Sequence, residues 1–136
     1  MKTMLVLVAS ALLLGATVAV QAASIEGTWL SESGKTKIKM APCGSKYCGT
    51  IVWVQGPETK DVKNKEESKR GRNLVGLQMV YDMVPEGAGY KGSLYNYDDG
   101  GTYTGTMTPD GADKVKLKGC WTIGFPCRTS TWSRSN

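Results

Sequence analysis

The run from Tyr90 to Lys118, YKGSLYNYDDGGTYTGTMTPDGADKVKLK, reads as three strands joined by two tight turns. Thr102, Thr104, Thr106 and Thr108 alternate with Tyr103, Gly105 and Met107, the period-2 pattern of a half-buried strand rich in β-forming residues. Asp98-Asp99-Gly100-Gly101 precedes this strand and Pro109-Asp110-Gly111 follows it. Both are hairpin signals, because glycine accepts the positive φ that a tight turn imposes. Lys114-Val115-Lys116-Leu117-Lys118 then alternates, with lysines toward water and Val115 and Leu117 inward. Strands joined by turns this short pair antiparallel, since a parallel pair needs a long crossover.

The same pattern extends in both directions. Ile25 to Ser31 ends at the turn cluster Glu32-Ser33-Gly34, and Lys37-Ile38-Lys39-Met40 alternates. Cys48 to Val54 is apolar on both faces, as in a more covered strand. Leu77, Met79, Tyr81 and Met83 are expected on one face of a further strand, and the last strand runs from Arg128 to Arg134. The polar segment Lys60 to Arg72 holds a short helical turn or none. About eight strands at near-regular spacing predict an all-β chain, folded as a single up-and-down antiparallel β-barrel whose closure removes exposed strand edges.

Residues 1–22 read as a cleaved export signal: Lys2, then an uncharged apolar run from Met4 to Val20, then small residues around Ala22. Residues 23–136 form one domain, and the address is periplasmic or secreted. An exported chain meets an oxidising compartment, so its four cysteines read as disulfides. Three pairings exist; the local one, Cys43 with Cys48 and Cys120 with Cys127, is expected because each pair flanks a turn-like segment. Zinc is a poor second reading, with no histidine and no C-x-x-C spacing. No metal or cofactor is expected.

The formal net charge is +5, with Lys2 inside the export signal. Much of the rest lies in Lys60, Lys63, Lys65, Lys69, Arg70 and Arg72, against Asp61, Glu66 and Glu67. A solvated mixed-charge loop is the plain reading. The functional reading is contact with an anionic envelope polymer or lipid headgroup through Lys69, Arg70 and Arg72. Nucleic acid is not an expected partner, as no aromatic residues interleave with these charges.

The chain resembles the exported bacterial family known as domain of unknown function 2147. The resemblance is carried by Gly27-Thr28-Trp29, Pro42-Cys43-Gly44, Tyr47 to Trp53, Asp61-Val62-Lys63-Asn64, Leu74 to Leu77, Tyr95 to Gly105, Lys118-Gly119-Cys120 and Thr131 to Arg134. Lys65 departs from it, since the family more often has proline there. The resemblance implies a compact, lipocalin-like barrel and no established activity. Gly27-x-Trp29 is also similar to the first-strand signature of lipocalins, which implies that Arg134 packs on Trp29 to close one end of the barrel.

A barrel of this size is either filled by side chains or holds one small ligand. Inward candidates for a ligand pocket are Met40, Trp53, Met79, Tyr81, Met83, Tyr103 and Met107, methionine being suited to an adaptable apolar lining and equally to a filled core. The favoured function is binding or carrying a small, partly apolar molecule. Envelope contact through the basic loop is the alternative, and a carboxylate-dependent hydrolase built on Asp61, Asp98, Asp99 or Glu58 is the third. No catalytic residue is assigned, for histidine is absent and no serine lies in a G-x-S-x-G elbow. Tyr95 to Gly100 resembles a calcium loop in its Asn and Asp spacing, yet Asp-Gly is itself a turn signal, and the turn is preferred.

Overall fold

The computed structural model describes residues 10–16, 24–121 and 124–136. Most of the segment read above as an export signal lies outside them, and residues 10–16 carry neither helix nor strand. No helix among the described residues is long and apolar enough to cross a membrane. The strands are β1 (Gly27–Leu30), β2 (Thr36–Cys43), β3 (Lys46–Val54), β4 (Gln78–Glu86), β5 (Gly89–Asn96), β6 (Gly101–Asp110), β7 (Lys114–Cys120) and β8 (Cys127–Ser135). Each pairs antiparallel with its sequence neighbour, and β1 pairs with β8 through Trp29↔Arg134 to close the barrel. The basic segment contributes one 3₁₀ turn, Glu67–Lys69.

Up-and-down connection sorts the loops between two ends. The short turns β2–β3, β4–β5 and β6–β7 share one end with the chain's approach to β1. The loops β1–β2, β5–β6, β7–β8 and the long β3–β4 loop share the other. Two disulfides are closed, Cys43–Cys48 at the short-turn end and Cys120–Cys127 at the long-loop end.

The short-turn end is filled. Ile25, Trp29, Ile38, Met40, Val80, Met83, Met107 and Val115 are fully buried there in one cluster with Tyr90, Leu117 and Trp132. Inward glycines make room for the large side chains: a Cβ on Gly49 would lie 2.6 Å from Met40 Sδ, and one on Gly105 would lie 2.4 Å from Leu94 Cγ. Small residues opposite large ones are how a narrow barrel reaches close packing. Arg134 stands 4.3 Å from the Trp29 ring centroid and donates to the carbonyls of Glu26 (2.7 Å) and Ala112 (2.8 Å).

Register shifts interrupt strict alternation in the β2–β3, β3–β4 and β4–β5 pairings, and two of them re-aim candidate residues. Between Lys37 and Ile38 the β2–β3 pairing skips Val52, so Trp53 pairs with Lys37 and faces solvent instead of the interior. Trp53 is therefore corrected from a pocket candidate to an outer-surface residue, with the Lys37 ammonium 5.5 Å from its ring. In β4, Asp82 at φ 54° and Met83 together oppose Gly92, a bulge that turns Met83 inward beside Val80 and leaves Tyr81 on the other side. Leu77, Met79, Tyr81 and Met83 thus do not share one face.

The β3–β4 loop is a folded unit. Lys60 bridges Asn73, and a second cluster of Ile51, Leu74, Leu77 and Tyr95 lies beneath it. The loop comes so near the β5–β6 turn that a Cβ on Gly100, at φ 72°, would sit 2.0 Å from the Lys63 carbonyl oxygen. Gly100→Ala combines that clash with a left-handed backbone, and is expected to cost about 2 kcal/mol or more in urea unfolding. An unchanged midpoint would mean that the loop does not rest on this turn.

Candidate functional site

The packed core stops short of the long-loop end. Above Ile38, Leu94, Leu117 and Trp132 lies a cavity of about 490 Å³ opening at the mouth. Strand alternation explains the lining: on β8, Trp132, Ser130 and Arg128 succeed one another on the inner face, opposite Val115, Leu117 and Gly119 of β7. Tyr103 of β6 and Leu94 of β5 pair across the wall, and Met79 completes the apolar floor. The rim is polar, with Ser31, Glu32 and Ser33 from the β1–β2 loop and Asn96, Tyr97 and Asp98 from the β5–β6 turn.

Hydrogen bonds fix this rim. The Tyr97 and Thr36 hydroxyls bond to each other across the mouth. Asp99 accepts from the Tyr103 hydroxyl and from the Gly101 amide at 2.7 Å. Its hydrogen bond raises the Tyr103 pKa above the ordinary tyrosine value, burial and the Asp99 charge add to this, and the Arg128 charge opposes it. Volume, apolar floor and polar rim match the usual anatomy of a small-molecule site.

The β3–β4 loop, which shares the mouth end, is held by a buried carboxylate. Asp61 is fully buried. Its Oδ1 accepts from the Tyr95 hydroxyl at 2.6 Å, and its Oδ2 accepts from Asn64 Nδ2 at 2.8 Å and Arg72 Nε at 3.0 Å. Burial pushes the Asp61 pKa upward, but these hydrogen bonds and the Arg72 charge outweigh it and hold the carboxyl below its ordinary value. The Tyr95 hydroxyl is pushed up to about 12 by burial first, then by its bond to Asp61 and the charge there. With both oxygens occupied and the group ionised, Asp61 anchors a loop and has no proton to give.

A second depression, about 620 Å³, lies beside the loop and is lined by Lys65, Glu66, Lys69, Arg72, Tyr81 and Asp82 among others. Mixed charges line it and, apart from Tyr81 and Tyr95, its lining has no large apolar side chain, so the mouth cavity with its aliphatic floor is the better site for an apolar ligand.

The family model described as "Uncharacterized protein conserved in bacteria (DUF2147)" matches residues 27–134, first strand to last. The chain belongs to the DUF2147 family. Protein HP1028 from the human pathogen Helicobacter pylori, described as belonging to the lipocalin family, has a similar solved structure: TM-score 0.74, 20% identity, 84% of each chain covered. At that identity the likeness shows the fold, a lipocalin-like barrel. No curated protein matches the sequence.

In this DUF2147 chain the sequence candidates divide by depth. Met79 and Tyr103 line the cavity. Met40, Met83 and Met107 are fully buried in the packed end, while Tyr81 borders the side depression. Among the basic candidates, Arg72 is bonded to Asp61, Arg70 Nε donates to the Asn64 carbonyl at 2.8 Å, and Lys69 pairs with Glu66 at 3.3 Å. Arg70 and Arg72 therefore help to hold the loop. Of the Tyr95 to Gly100 segment, Tyr97 to Gly100 forms the β5–β6 hairpin turn, with the Gly100 amide donating to the Asn96 carbonyl. Sequence reasoning missed Arg128, Ser130 and Gly119 as lining, although their parity with Trp132 and Leu117 was the available signal. The Asp61–Asn64–Arg72–Tyr95 network had none beyond its appearance in two of the family motifs.

Proposed function

We propose that this DUF2147 protein is an exported binder or carrier of a small, partly apolar molecule, held in the mouth of its barrel. The supporting observation is the half-filled interior: close packing ends at Leu117 and Trp132, and an open cavity with a polar rim begins there. An apolar portion of the ligand would rest on Ile38, Met79, Leu94, Leu117 and Trp132, with its polar end at the rim hydroxyls. The two closed disulfides suit an oxidising compartment, periplasmic or external, as does the apolar N-terminal run.

The reading is tested with N-phenyl-1-naphthylamine, a neutral apolar fluorophore. It is expected to bind saturably at one site per chain and to raise the thermal midpoint, as a ligand of the folded state must. A Cβ on Gly119 would meet Tyr103 Cβ at 3.5 Å, an ordinary contact, so a side chain can start there, and a leucine would take up cavity volume. Gly119→Leu is expected to weaken probe binding about tenfold or more, the order of effect of losing a buried apolar contact. Equal affinity in wild type and Gly119→Leu would show that the probe sits elsewhere.

A further inference from the structure

We propose that Arg128 is an anion-recognition residue, and that the cavity selects an amphiphile with a single negative charge on its head, such as a carboxylate. This rests on the binding reading above and names the ligand class.

Register places Arg128 on the inner face of β8, two residues from Ser130 and four from Trp132, opposite a glycine, Gly119. The missing side chain leaves the guanidinium space within the cavity. Other arginines are engaged: Arg134 with main-chain carbonyls, Arg72 with Asp61, Arg70 with the Asn64 carbonyl. Among the described residues the Arg128 side chain has neither a hydrogen bond nor an ion pair, and its one electrostatic contact is with Tyr103. The nearby carboxylate of Asp99 is occupied by Tyr103 and the Gly101 amide.

An exposed guanidinium at the cavity mouth, with unused donors and serine and threonine hydroxyls beside it, suits a planar carboxylate in two parallel hydrogen bonds. The floor of Leu94, Leu117 and Trp132 gives the tail its place. Glu32 and Asp98 at the rim repel a second negative charge, which favours a monoanion over a phosphate monoester.

The test displaces N-phenyl-1-naphthylamine from the full chain with dodecanoate, dodecanol, dodecyl phosphate and dodecyltrimethylammonium. Dodecanoate is expected to bind about tenfold tighter than dodecanol, the worth of a charge-assisted hydrogen bond, and tighter than the phosphate or the cation. Arg128→Gln should bring the dodecanoate-to-dodecanol ratio to about one, and Arg128→Lys should restore part of it. Lys118→Gln, a neighbouring exposed charge on the outer face, should leave the ratio at its wild-type value. Equal displacement by dodecanoate and dodecanol in the wild type, or a ratio unmoved by Arg128→Gln, overturns the assignment, as does a preference for the phosphate. If the neutral probe itself fails to bind the wild type, the binding reading fails and this one falls with it. If the probe binds and no anion preference exists, only the role of Arg128 is lost.

Discussion

Trp29→Ala is expected to lower the unfolding free energy by about 3–5 kcal/mol, the range for truncating a fully buried large aromatic. Trp29 is 1% exposed, donates its indole N–H to the Ile25 carbonyl at 2.9 Å, and carries Arg134 over its ring. Removing it leaves a cavity at the filled end, an unpaired carbonyl and an unsupported guanidinium. Since a domain of this size is stable by about 5–15 kcal/mol, the variant should unfold at much lower urea. Arg134→Ala should cost less, about 1–2 kcal/mol, because Arg134 is exposed and loses a cation–π contact and hydrogen bonds to main chain. A double-mutant cycle on the pair should show coupling. A loss under 1 kcal/mol for Trp29→Ala would mean that this end is not the packed anchor of the barrel.

Asp61→Ala is the second large effect, expected at about 2–4 kcal/mol. The carboxylate is fully buried and the Tyr95 and Asn64 donors are buried with it, so both would lose a partner. The figure stays below that for a fully buried ion pair because the Arg72 side chain is 37% exposed and water can replace part of its bond. The same group makes a pH prediction. Its folded pKa is depressed, so its stabilisation is complete above the ordinary carboxylate pKa and is lost as pH falls through the depressed value. Tyr95 acts at the other extreme. Its raised pKa contributes stability that is complete below the ordinary tyrosine value and is lost as pH rises toward about 12. Wild type should therefore lose stability on both flanks, and Asp61→Ala should show a weaker acid limb. An acid limb unchanged in the variant would remove Asp61 as its cause.

How much of this was legible in the chain depended on distance along it. The alternation of Tyr103, Gly105 and Met107, with its flanking Asp-Gly turns, is a local signal, and β5 to β7 follow it. The disulfides were readable for the same reason, each closing its own turn. Trp53 was misplaced because one skipped residue, Val52, reverses every side chain beyond it, and nothing in an apolar run announces such a bulge. The Asp82 bulge acts in the same way on Tyr81, which alternation grouped with Met83: Met83 stays inward and Tyr81 falls on the other side. The methionines marked composition and not depth: of Met40, Met79, Met83 and Met107, only Met79 stands where packing ends. Arg128 is exposed and ordinary in sequence, and its place on the cavity wall follows only once β8 is registered against β7. The Asp61 network spans Asp61 to Tyr95, and only the folded β3–β4 loop brings those groups together.

A half-filled barrel divides its labour by position. The disulfide-stapled Cys43–Cys48 turn and the Trp29–Arg134 contact secure the packed end, while the Cys120–Cys127 disulfide staples the open one and the Asp61 network holds Tyr95 of its lining. Rigid walls around a preformed cavity reduce the ordering cost of binding. The most direct measurement is a titration of isotope-labelled protein with N-phenyl-1-naphthylamine, followed by amide and methyl NMR. If the mouth cavity is the binding site, shifts at saturation concentrate on Ile38, Met79, Leu94, Leu117, Gly119 and Ser130 and spare Met83 and Val115 of the packed end. Shifts confined to the outer surface around Trp53, or none at saturating probe, would contradict it.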